Sequence, residues 1–202
     1  MKKLFALILA ALMLFACTAC AQEAVETAAF EGGTIEGRVY TSTMGGFSFT
    51  APQGYEYFSE EMIAEAFNIT TETLEIESDE TTVYDMYCFN GTENSSINVN
   101  FENLVLTHGA DCTVDEYIET CMTSYKITFN SFEDVVLMSI EDSTMELDGM
   151  EFGCIEMVLD NDGTEFYETL LVRKVNNYMM TFTVAAYSRE EMNNICSAIK
   201  AV

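Results

Sequence analysis

The sequence has few basic residues, one histidine and one proline, and each shortage excludes a class of structure or function. Asp and Glu outnumber Lys and Arg 34 to 8, which gives a formal net charge of −26. Because nucleic-acid binding depends on clustered Lys and Arg, this composition excludes a nucleic-acid partner. One histidine excludes any metal site that needs two His ligands. A single proline and 49% hydrophobic residues predict a packed chain rather than a disordered one.

Several sequence motifs of enzymes are missing as well. The chain contains no G-x-S-x-G nucleophile elbow, no P-loop, no G-x-G-x-x-G and no pair of Cys or His at metal-binding spacing. We therefore predict a protein that is not an enzyme, with no catalytic residues and no bound cofactor.

The N-terminus has the features of an export signal. Met1-Lys2-Lys3 is positively charged, and residues 4–16 form an apolar run that is too short to span a bilayer comfortably. An A-x-A pattern after this run fits an ordinary signal-peptidase site, whereas the small residues before Cys17 and before Cys20 resemble the lipobox of bacterial lipoproteins. We predict a signal peptide over residues 1–21, lipidation at Cys20 or Cys17, and an extracytoplasmic protein that is either lipid-anchored to the cell membrane or secreted.

Composition divides the rest of the chain into a tether and one domain. Residues 22–36 are small, acidic and Gly-containing, without hydrophobic periodicity, and are predicted to form a flexible tether. No internal repeat follows, so residues 37–202 are predicted to form a single domain. Its cysteines form neither a C-x-x-C motif nor an even set, so we expect buried thiols, with one or two disulfides as the open alternative. These cysteines are Cys88, Cys112, Cys121, Cys154 and Cys196.

Three helices are predicted from their N-terminal signals. Ser59, Thr113 and Ser188 each precede acidic residues and an apolar stripe at helical spacing. Glu116 completes the pattern of a capping box with Thr113, and Glu191 does so with Ser188. The acidic residues in each first turn also suit the helix dipole.

The segments between these helices have the alternation, or the β-branched and aromatic content, of strands. Ile97–Phe101 alternates cleanly, which predicts one solvent-facing side and one buried side. The turn residues of segments 160–163 and 176–177 predict hairpins, so the last four strands are antiparallel neighbours. Because helices fall between groups of strands, an α+β fold with a mostly antiparallel sheet is favoured. The predicted strands are 47–50, 83–89, 97–101, 132–140, 151–159, 165–173 and 178–186.

One local motif and the order of elements are shared with a known family. The motif is Gly46-Phe47-Ser48-Phe49-Thr50-Ala51-Pro52-Gln53-Gly54-Tyr55. The alternating strand Ile97–Phe101, the capped helix after Thr113, the Leu147-Asp148-Gly149 turn and the closing segment Tyr178–Ile199 also fit. In these features the domain resembles the PsbP-like family, named for an extrinsic subunit of photosystem II and found in many bacterial lipoproteins. The resemblance implies a central antiparallel sheet with helices on both faces, an α/β/α sandwich, and an accessory or binding role rather than catalysis.

One predicted turn is rich in the oxygen ligands that calcium prefers. Asp160, Asp162 and Glu165 are the candidate metal ligands, for a calcium-type cation. An EF-hand loop needs a bidentate Glu six residues after its glycine, whereas here Gly163 directly follows Asp162 and a strand resumes at once. A hairpin turn is therefore the competing interpretation.

Two other clusters carry weaker hypotheses. His108, Asp111 and Cys112 lie within five residues, which suggests a nucleophile site, but neighbours along a loop seldom converge with an oxyanion donor. The acidic residues of segment 72–80 are either a surface for a cation or a basic partner, or a solvated loop.

Methionine and aromatic residues are abundant, with 13 Met, 14 Phe and 10 Tyr. Core packing competes with an adaptable apolar groove as the reason for this abundance.

We predict an exported, membrane-tethered, non-catalytic binding or assembly module of the bacterial cell envelope, whose partner is an envelope protein or a small apolar or peptide ligand. The alternative is an extracytoplasmic hydrolase with two carboxylates about 5–10 Å apart.

Overall fold

Two antiparallel sheets and four helices make up the part of the chain that the structure describes. The computed structural model describes residues 30–67, 81–132 and 135–202. The strands are β1 (Thr34–Glu36), β2 (Val39–Ser42), β3 (Phe47–Thr50), β4 (Glu56–Tyr57), β5 (Thr82–Asn90), β6 (Ser95–Asn103), β7 (Val135–Leu147), β8 (Met150–Asn161), β9 (Thr164–Val175), β10 (Tyr178–Ala186) and β11 (Ile199–Ala201). The helices are α1 (Glu60–Phe67), α2 (Leu104–Thr107), α3 (Val114–Phe129) and α4 (Arg189–Ser197).

The larger sheet has seven strands in the order β4-β5-β6-β10-β9-β8-β7. Its last four strands in the chain form the predicted meander, joined by tight turns. Asp162, Gly163 and Asn176 have φ of 54°, 84° and 54°, as mirror-image hairpin turns require. The hairpin predictions at both positions are therefore confirmed.

The smaller sheet has four strands in the order β1-β2-β3-β11 and covers one face of the central sheet together with α4. Tyr40, Phe47 and Phe49 of this small sheet are buried against it, and the Phe47 and Phe182 rings meet edge to face at 4.7 Å. The opposite face of the central sheet packs against α2 and α3 in a second core. The prediction of a mostly antiparallel central sheet is thus confirmed. The prediction that helices form both covering layers is wrong, because the small sheet covers one face together with α4.

The predicted helix starts are confirmed at Ser59, Thr113 and Ser188. At α3 the capping box is complete, since the Glu116 N–H donates to Thr113 Oγ1 at 3.3 Å and the Thr113 N–H donates to Glu116 Oε2 at 2.9 Å. At α4 only half of the expected box forms. The Glu191 N–H donates to Ser188 Oγ, but the Glu191 carboxylate accepts the Tyr55 hydroxyl at 2.6 Å instead of reaching back.

The end of the predicted tether is part of the packed body. Phe30 lies with its ring centroid 5.0 Å from that of Phe101, and Thr34–Glu36 forms β1. Ordered packing therefore begins before Gly37, because an aromatic side chain and a short edge strand attach this segment to the two sheets. Among the described helices, none combines the length and the apolar character needed to cross a membrane.

Candidate ligand-binding site

A row of polar side chains lies buried on the face of the central sheet that is directed towards α3. Asn98, Asn100 and Glu102 alternate along β6 with apolar residues of the opposite core, and their exposed fractions are 0%, 5% and 2%. Thr183 and Thr181 of β10 pair with Asn98 and Asn100 and are buried too. We call these five residues the polar strip. The sequence prediction of a solvent-facing side on this strand is wrong, because neighbouring parts of the chain cover it.

The two asparagines of the polar strip bond to each other and leave two atoms unused. The Asn100 Nδ2 group donates to Asn98 Oδ1 at 3.2 Å. Among the described residues, Asn98 Nδ2 and Asn100 Oδ1 have no hydrogen-bond partner. Exchanging oxygen and nitrogen in both amides would again leave one donor and one acceptor unpaired. Nearly all buried polar groups in proteins are hydrogen-bonded, so this pair has the capacity for one further donor bond and one further acceptor bond.

Glu102 lies at one end of the polar strip with a tyrosine and the single histidine. The Tyr117 hydroxyl donates to Glu102 Oε2 at 2.6 Å, and His108 Nε2 lies 3.2 Å from Glu102 Oε1. That second contact has an ion-pair distance but lacks hydrogen-bond alignment, so Oε1 keeps an unused acceptor position. Burial raises the pKa of Tyr117, which therefore stays a donor. The capped start of α3 places Tyr117, and α2 places His108 directly after its last turn.

The three residues of the predicted nucleophile site have different surroundings in the structure. His108 faces Glu102, whereas Asp111 is exposed to solvent. The Cys112 thiol donates to the Thr113 carbonyl oxygen at 3.5 Å, and burial raises its pKa. An activated cysteine needs a lowered pKa, so this grouping lacks the property that the nucleophile hypothesis requires.

All cysteines that the structure describes are free and buried, as predicted. Burial raises the pKa of Cys88 to about 12, of Cys154 to about 11 and of Cys196 to about 12. These thiols pack as small apolar side chains and are poor nucleophiles.

A cavity of about 320 Å³ opens at the outer edge of β5. Strand β4 pairs with only two residues of β5, Cys88 and Phe89. Tyr84 and Tyr87 line the cavity, and the register places them opposite Asn100 and Asn98. Two residues of the lining are thus cross-strand neighbours of the polar strip, while none of the five strip residues lines the cavity itself.

Asp85 fastens the N-terminal segment to the same edge. It is the extra residue of a β-bulge between Tyr84 and Met86, and a bulge redirects the side chain that it carries. Its carboxylate accepts the Gly33 N–H at 3.0 Å and also accepts the Tyr40 hydroxyl. Burial raises the pKa of Asp85, and these two hydrogen bonds oppose that rise.

The predicted calcium ligands lie in the hairpin between β8 and β9. Asp160 Oδ1 accepts the Gly163 N–H at 2.8 Å, and Glu165 Oε2 accepts the Tyr167 hydroxyl at 2.6 Å. Both carboxylates thus stabilise their own hairpin. Within the three described stretches, no group of three His, Cys, Asp or Glu side chains could hold a metal ion. A cation at Asp160, Asp162 and Glu165 stays a prediction.

Three sequence predictions fall on residues outside the described ranges. They are the signal peptide, the lipidation site at Cys17 or Cys20, and the acidic segment 72–80.

The two buried glutamates of the described residues are too far apart for the hydrolase alternative. Glu102 pairs with Met179 and Glu168 with Ala185, six positions apart along β10. At about 3.4 Å per residue they are separated by about 20 Å, whereas glycosidase carboxylates lie about 5–10 Å apart. These two carboxylates therefore cannot act as one catalytic pair.

Solved structures show what this chain resembles. The solution structure of a cyanobacterial PsbP from Synechocystis matches with a TM-score of 0.49 and 11% identity, over 92% of this chain and 98% of that one. A crystal structure from Bacteroides thetaiotaomicron matches with a TM-score of 0.44 and 12% identity, over 83% of this chain and 49% of that one. LpqN of Mycobacterium tuberculosis, described as involved in cell envelope biogenesis, matches with a TM-score of 0.43 and 7% identity, over 76% and 82%.

A PsbP structure is thus among those that the chain resembles, as predicted from the sequence, and at these identities the likeness concerns the fold alone. No family model matches the sequence, and a search of curated proteins found no match. No functional residue is carried over from the three structures.

Proposed function

We propose that the protein is a non-catalytic, extracytoplasmic binding module of the bacterial cell envelope that holds a small ligand against the polar strip. The unpaired Asn98 Nδ2 and Asn100 Oδ1 carry this proposal, since a polar pair of this kind is destabilising unless something else bonds to it. The amide and hydroxyl side chains of the polar strip are suited to holding a ligand by hydrogen bonds, which is the role proposed here.

Native mass spectrometry of the protein purified from its own envelope fraction tests the binding role. We expect a small molecule to co-purify with the wild-type chain and with Asn193→Leu, an exposed control on α4. The double variant Asn98→Leu/Asn100→Leu keeps the side-chain branching but removes both amides, and we expect it to lose the ligand. A wild-type protein that carries no small molecule and binds none from an envelope extract would contradict the proposal.

The membrane tether is tested through the two candidate cysteines. We propose that one of them carries a diacylglyceryl group, which would hold a strongly acidic protein near an anionic membrane despite charge repulsion. Radiolabelled palmitate should label the wild-type chain, and either Cys20→Ala or Cys17→Ala should abolish labelling while the other variant serves as its matched control. Labelling that persists in both single variants and in the double variant, or no labelling of the wild type, would refute a lipid anchor at these positions.

A further inference from the structure

The cavity at the outer edge of β5 is lined by several aromatic side chains. Tyr40, Phe58, Tyr84 and Tyr87 line it, and we call these four residues the aromatic lining. Tyr40 and Tyr87 are buried, whereas Phe58 and Tyr84 are partly exposed, so solvent reaches this part of the lining. The ring centroids of Phe58 and Tyr87 lie 4.5 Å apart. The volume of about 320 Å³ is at the small end of the range for ligand pockets, about 300–1,000 Å³, and therefore suits a small molecule.

One carboxylate lies beside these rings without a basic partner. The Asp85 carboxylate is partly buried and accepts the Tyr40 hydroxyl and the Gly33 N–H. Hydrogen bonds of this kind favour the charged form of a carboxyl group. Among the described residues that line the cavity, none is Lys, Arg or His. The cavity therefore has a negative charge that no side chain of its lining neutralises.

The charges around the cavity act in the same direction. Arg38, two residues before Tyr40, donates to the carbonyl oxygens of Ala51 and Pro52 instead. Glu60 at the start of α1 is exposed and also lines the cavity. The sequence of residues 68–80, which connects α1 to β5, contains five acidic residues and no basic one. With a net charge of −26 for the chain, the field attracts cations and repels anions, so the expected ligand is positively charged.

The cavity offers a cation more aromatic surface than free hydrogen-bond acceptors. Both oxygens of Asp85 accept the Gly33 N–H, at 3.0 and 3.2 Å, and one of them also accepts the Tyr40 hydroxyl. A primary ammonium group has three N–H donors that need acceptors. A quaternary ammonium group has none, and aromatic rings bind it through cation–π contacts. Its methyl groups also suit the apolar side chains that line the cavity, which are Ile35, Ile63, Val83 and Met86.

We infer that this cavity binds a small quaternary ammonium compound, with the methylated nitrogen against the aromatic lining and close to Asp85. The inference goes beyond the proposed function, because it assigns a second site that contains no residue of the polar strip. The ammonium group belongs either to a free solute of the choline type or to the headgroup of a choline lipid.

Titration of the purified wild-type protein, followed by NMR, tests the inference with two matched probes. Choline carries a trimethylammonium group, and 3,3-dimethylbutan-1-ol has the same shape with carbon in place of the charged nitrogen. We expect choline to bind about 10–30-fold more tightly, which corresponds to about 1.4–2 kcal/mol. Equal affinities, tighter binding of the alcohol, or no binding of choline would overturn the inference.

Two further probes define the ligand class and its source. Ethanolamine has a primary ammonium group and should bind more weakly than choline, and tighter binding of ethanolamine would contradict a quaternary ammonium site. Glycerophosphocholine is the headgroup of a choline lipid without its acyl chains. An affinity similar to that of choline would support a lipid source, whereas a much weaker one would support a free solute.

Substitution of the carboxylate provides a second readout. Asp85→Asn keeps an oxygen that can accept the Gly33 N–H but removes the charge, so it should lose most of the preference for choline over the alcohol. Asp111→Asn, at an exposed position outside the lining, is the matched control and should keep the wild-type preference. If Asp85→Asn does not fold, the comparison of the probes on the wild-type chain still decides.

Substitution of one ring tests the aromatic lining itself. Phe58→Leu keeps an apolar side chain but removes an aromatic face, so choline should bind about 2–5-fold more weakly. Phe132→Leu, at a partly exposed aromatic residue that does not line the cavity, should bind choline as the wild type does. Unchanged binding of choline in both Phe58→Leu and Asp85→Asn would overturn the inference.

The double variant of the polar strip keeps the two sites apart. Asn98→Leu/Asn100→Leu alters no residue of the cavity lining and should bind choline like the wild type, even though it loses the ligand of the polar strip. Loss of choline binding in this variant would contradict a second site. No binding of choline to the wild-type chain, together with a small molecule that depends on the two asparagines, would refute this inference and leave the proposed function standing.

Discussion

Two glutamates lie buried on the same face of the central sheet and differ in their surroundings. Glu102 accepts the Tyr117 hydroxyl and faces His108, whereas Glu168 Oε1 has no hydrogen-bond partner among the described residues. Burial raises the pKa of Glu168 to about 8, so its carboxyl group is largely protonated at neutral pH in the folded protein. The same residue type is therefore a hydrogen-bonded acceptor at one end of the face and a titrating group at the other.

The stability of the protein should depend on pH through Glu168. In the unfolded chain this residue ionises near its ordinary pKa of about 4.3, so between about pH 4.5 and 8 the folded state binds more protons. The free energy of unfolding should fall over this range because of Glu168. The Glu168→Gln variant, which cannot ionise, should gain stability relative to wild type as pH rises, on the order of 3 kcal/mol by pH 8.

Denaturant unfolding from pH 4.5 to 8.5 measures that difference. Glu151→Gln, at an exposed position on β8, is the matched control and should track the wild type across the range. A constant difference between Glu168→Gln and the wild type at all pH values would refute titration of Glu168.

Position 33 needs a glycine because the backbone there lies very close to the Tyr40 ring. A Cβ atom at this position would lie 2.4 Å from the Tyr40 ring, whose hydroxyl donates to Asp85. Gly33→Ala should therefore force apart the contact that attaches the N-terminal segment to β5 and lower the free energy of unfolding by about 1–3 kcal/mol.

Gly91→Ala is the control for that substitution, since its nearest contact would be an ordinary 3.4 Å to Phe89. We expect a change within about 0.5 kcal/mol at this surface position in chemical denaturation. Similar losses for both variants would show that the close approach at Gly33 is not the cause.

The residues of the candidate site could be predicted from the sequence only in part. The alternation of Asn98, Asn100 and Glu102 with apolar residues placed them on one face of a strand, but periodicity cannot tell whether a polar face meets solvent or a covering layer. Proximity in the sequence groups His108 with Asp111 and Cys112, whereas its partner Glu102 comes from the preceding strand. A tertiary contact of this kind leaves no local signal.

At the scale of elements, α3 connects a sequence signal to the site. Its capping box fixes the start of the helix, and the first turn then brings Tyr117 to Glu102. Thr113→Ala removes the side-chain half of the box and should lower the free energy of unfolding by about 1 kcal/mol.

Thr123→Ala on the same helix is the comparison. Its hydroxyl donates to the carbonyl oxygen of Glu119 in mid-helix, where Ala is the better helix former, so this variant should be neutral or slightly more stable. Equal losses in urea unfolding for the two variants would mean that the cap makes no special contribution.

Long elements were predictable and short ones were not. The meander strands β8 to β10 and the capped helices have strong periodicity or end signals. Strands β1 and β11 have three residues each, too few for alternation to be visible, and Ile199 continues the apolar spacing of α4 although it pairs with Phe49 in the small sheet. These short strands belong to the small sheet, which lies where the predicted sandwich has a helical layer.

At the scale of the whole molecule, the strongly negative net charge is the property that we expect to affect stability. A net charge of −26 on the whole chain should oppose compaction by self-repulsion. Raising NaCl from 10 to 150 mM shortens the Debye length from about 30 Å to about 8 Å, so the melting temperature should rise, by about 2–4 °C for each kcal/mol recovered. An equal osmolality of sucrose controls for solute exclusion at constant ionic strength, and a melting temperature that does not respond to salt would contradict the expectation.

The central claim is that the polar strip serves a ligand and not the fold, and the stability of Asn98→Leu/Asn100→Leu tests it most directly. A polar pair kept for binding leaves unpaired atoms in the free protein, and replacing both partners by apolar groups of the same shape then relieves that penalty. We expect the free energy of unfolding of the double variant to equal or exceed that of the wild type by up to about 2 kcal/mol, with Asn193→Leu unchanged. A loss of more than about 1 kcal/mol specific to the double variant would contradict the account, because the asparagines would then be part of the structural core.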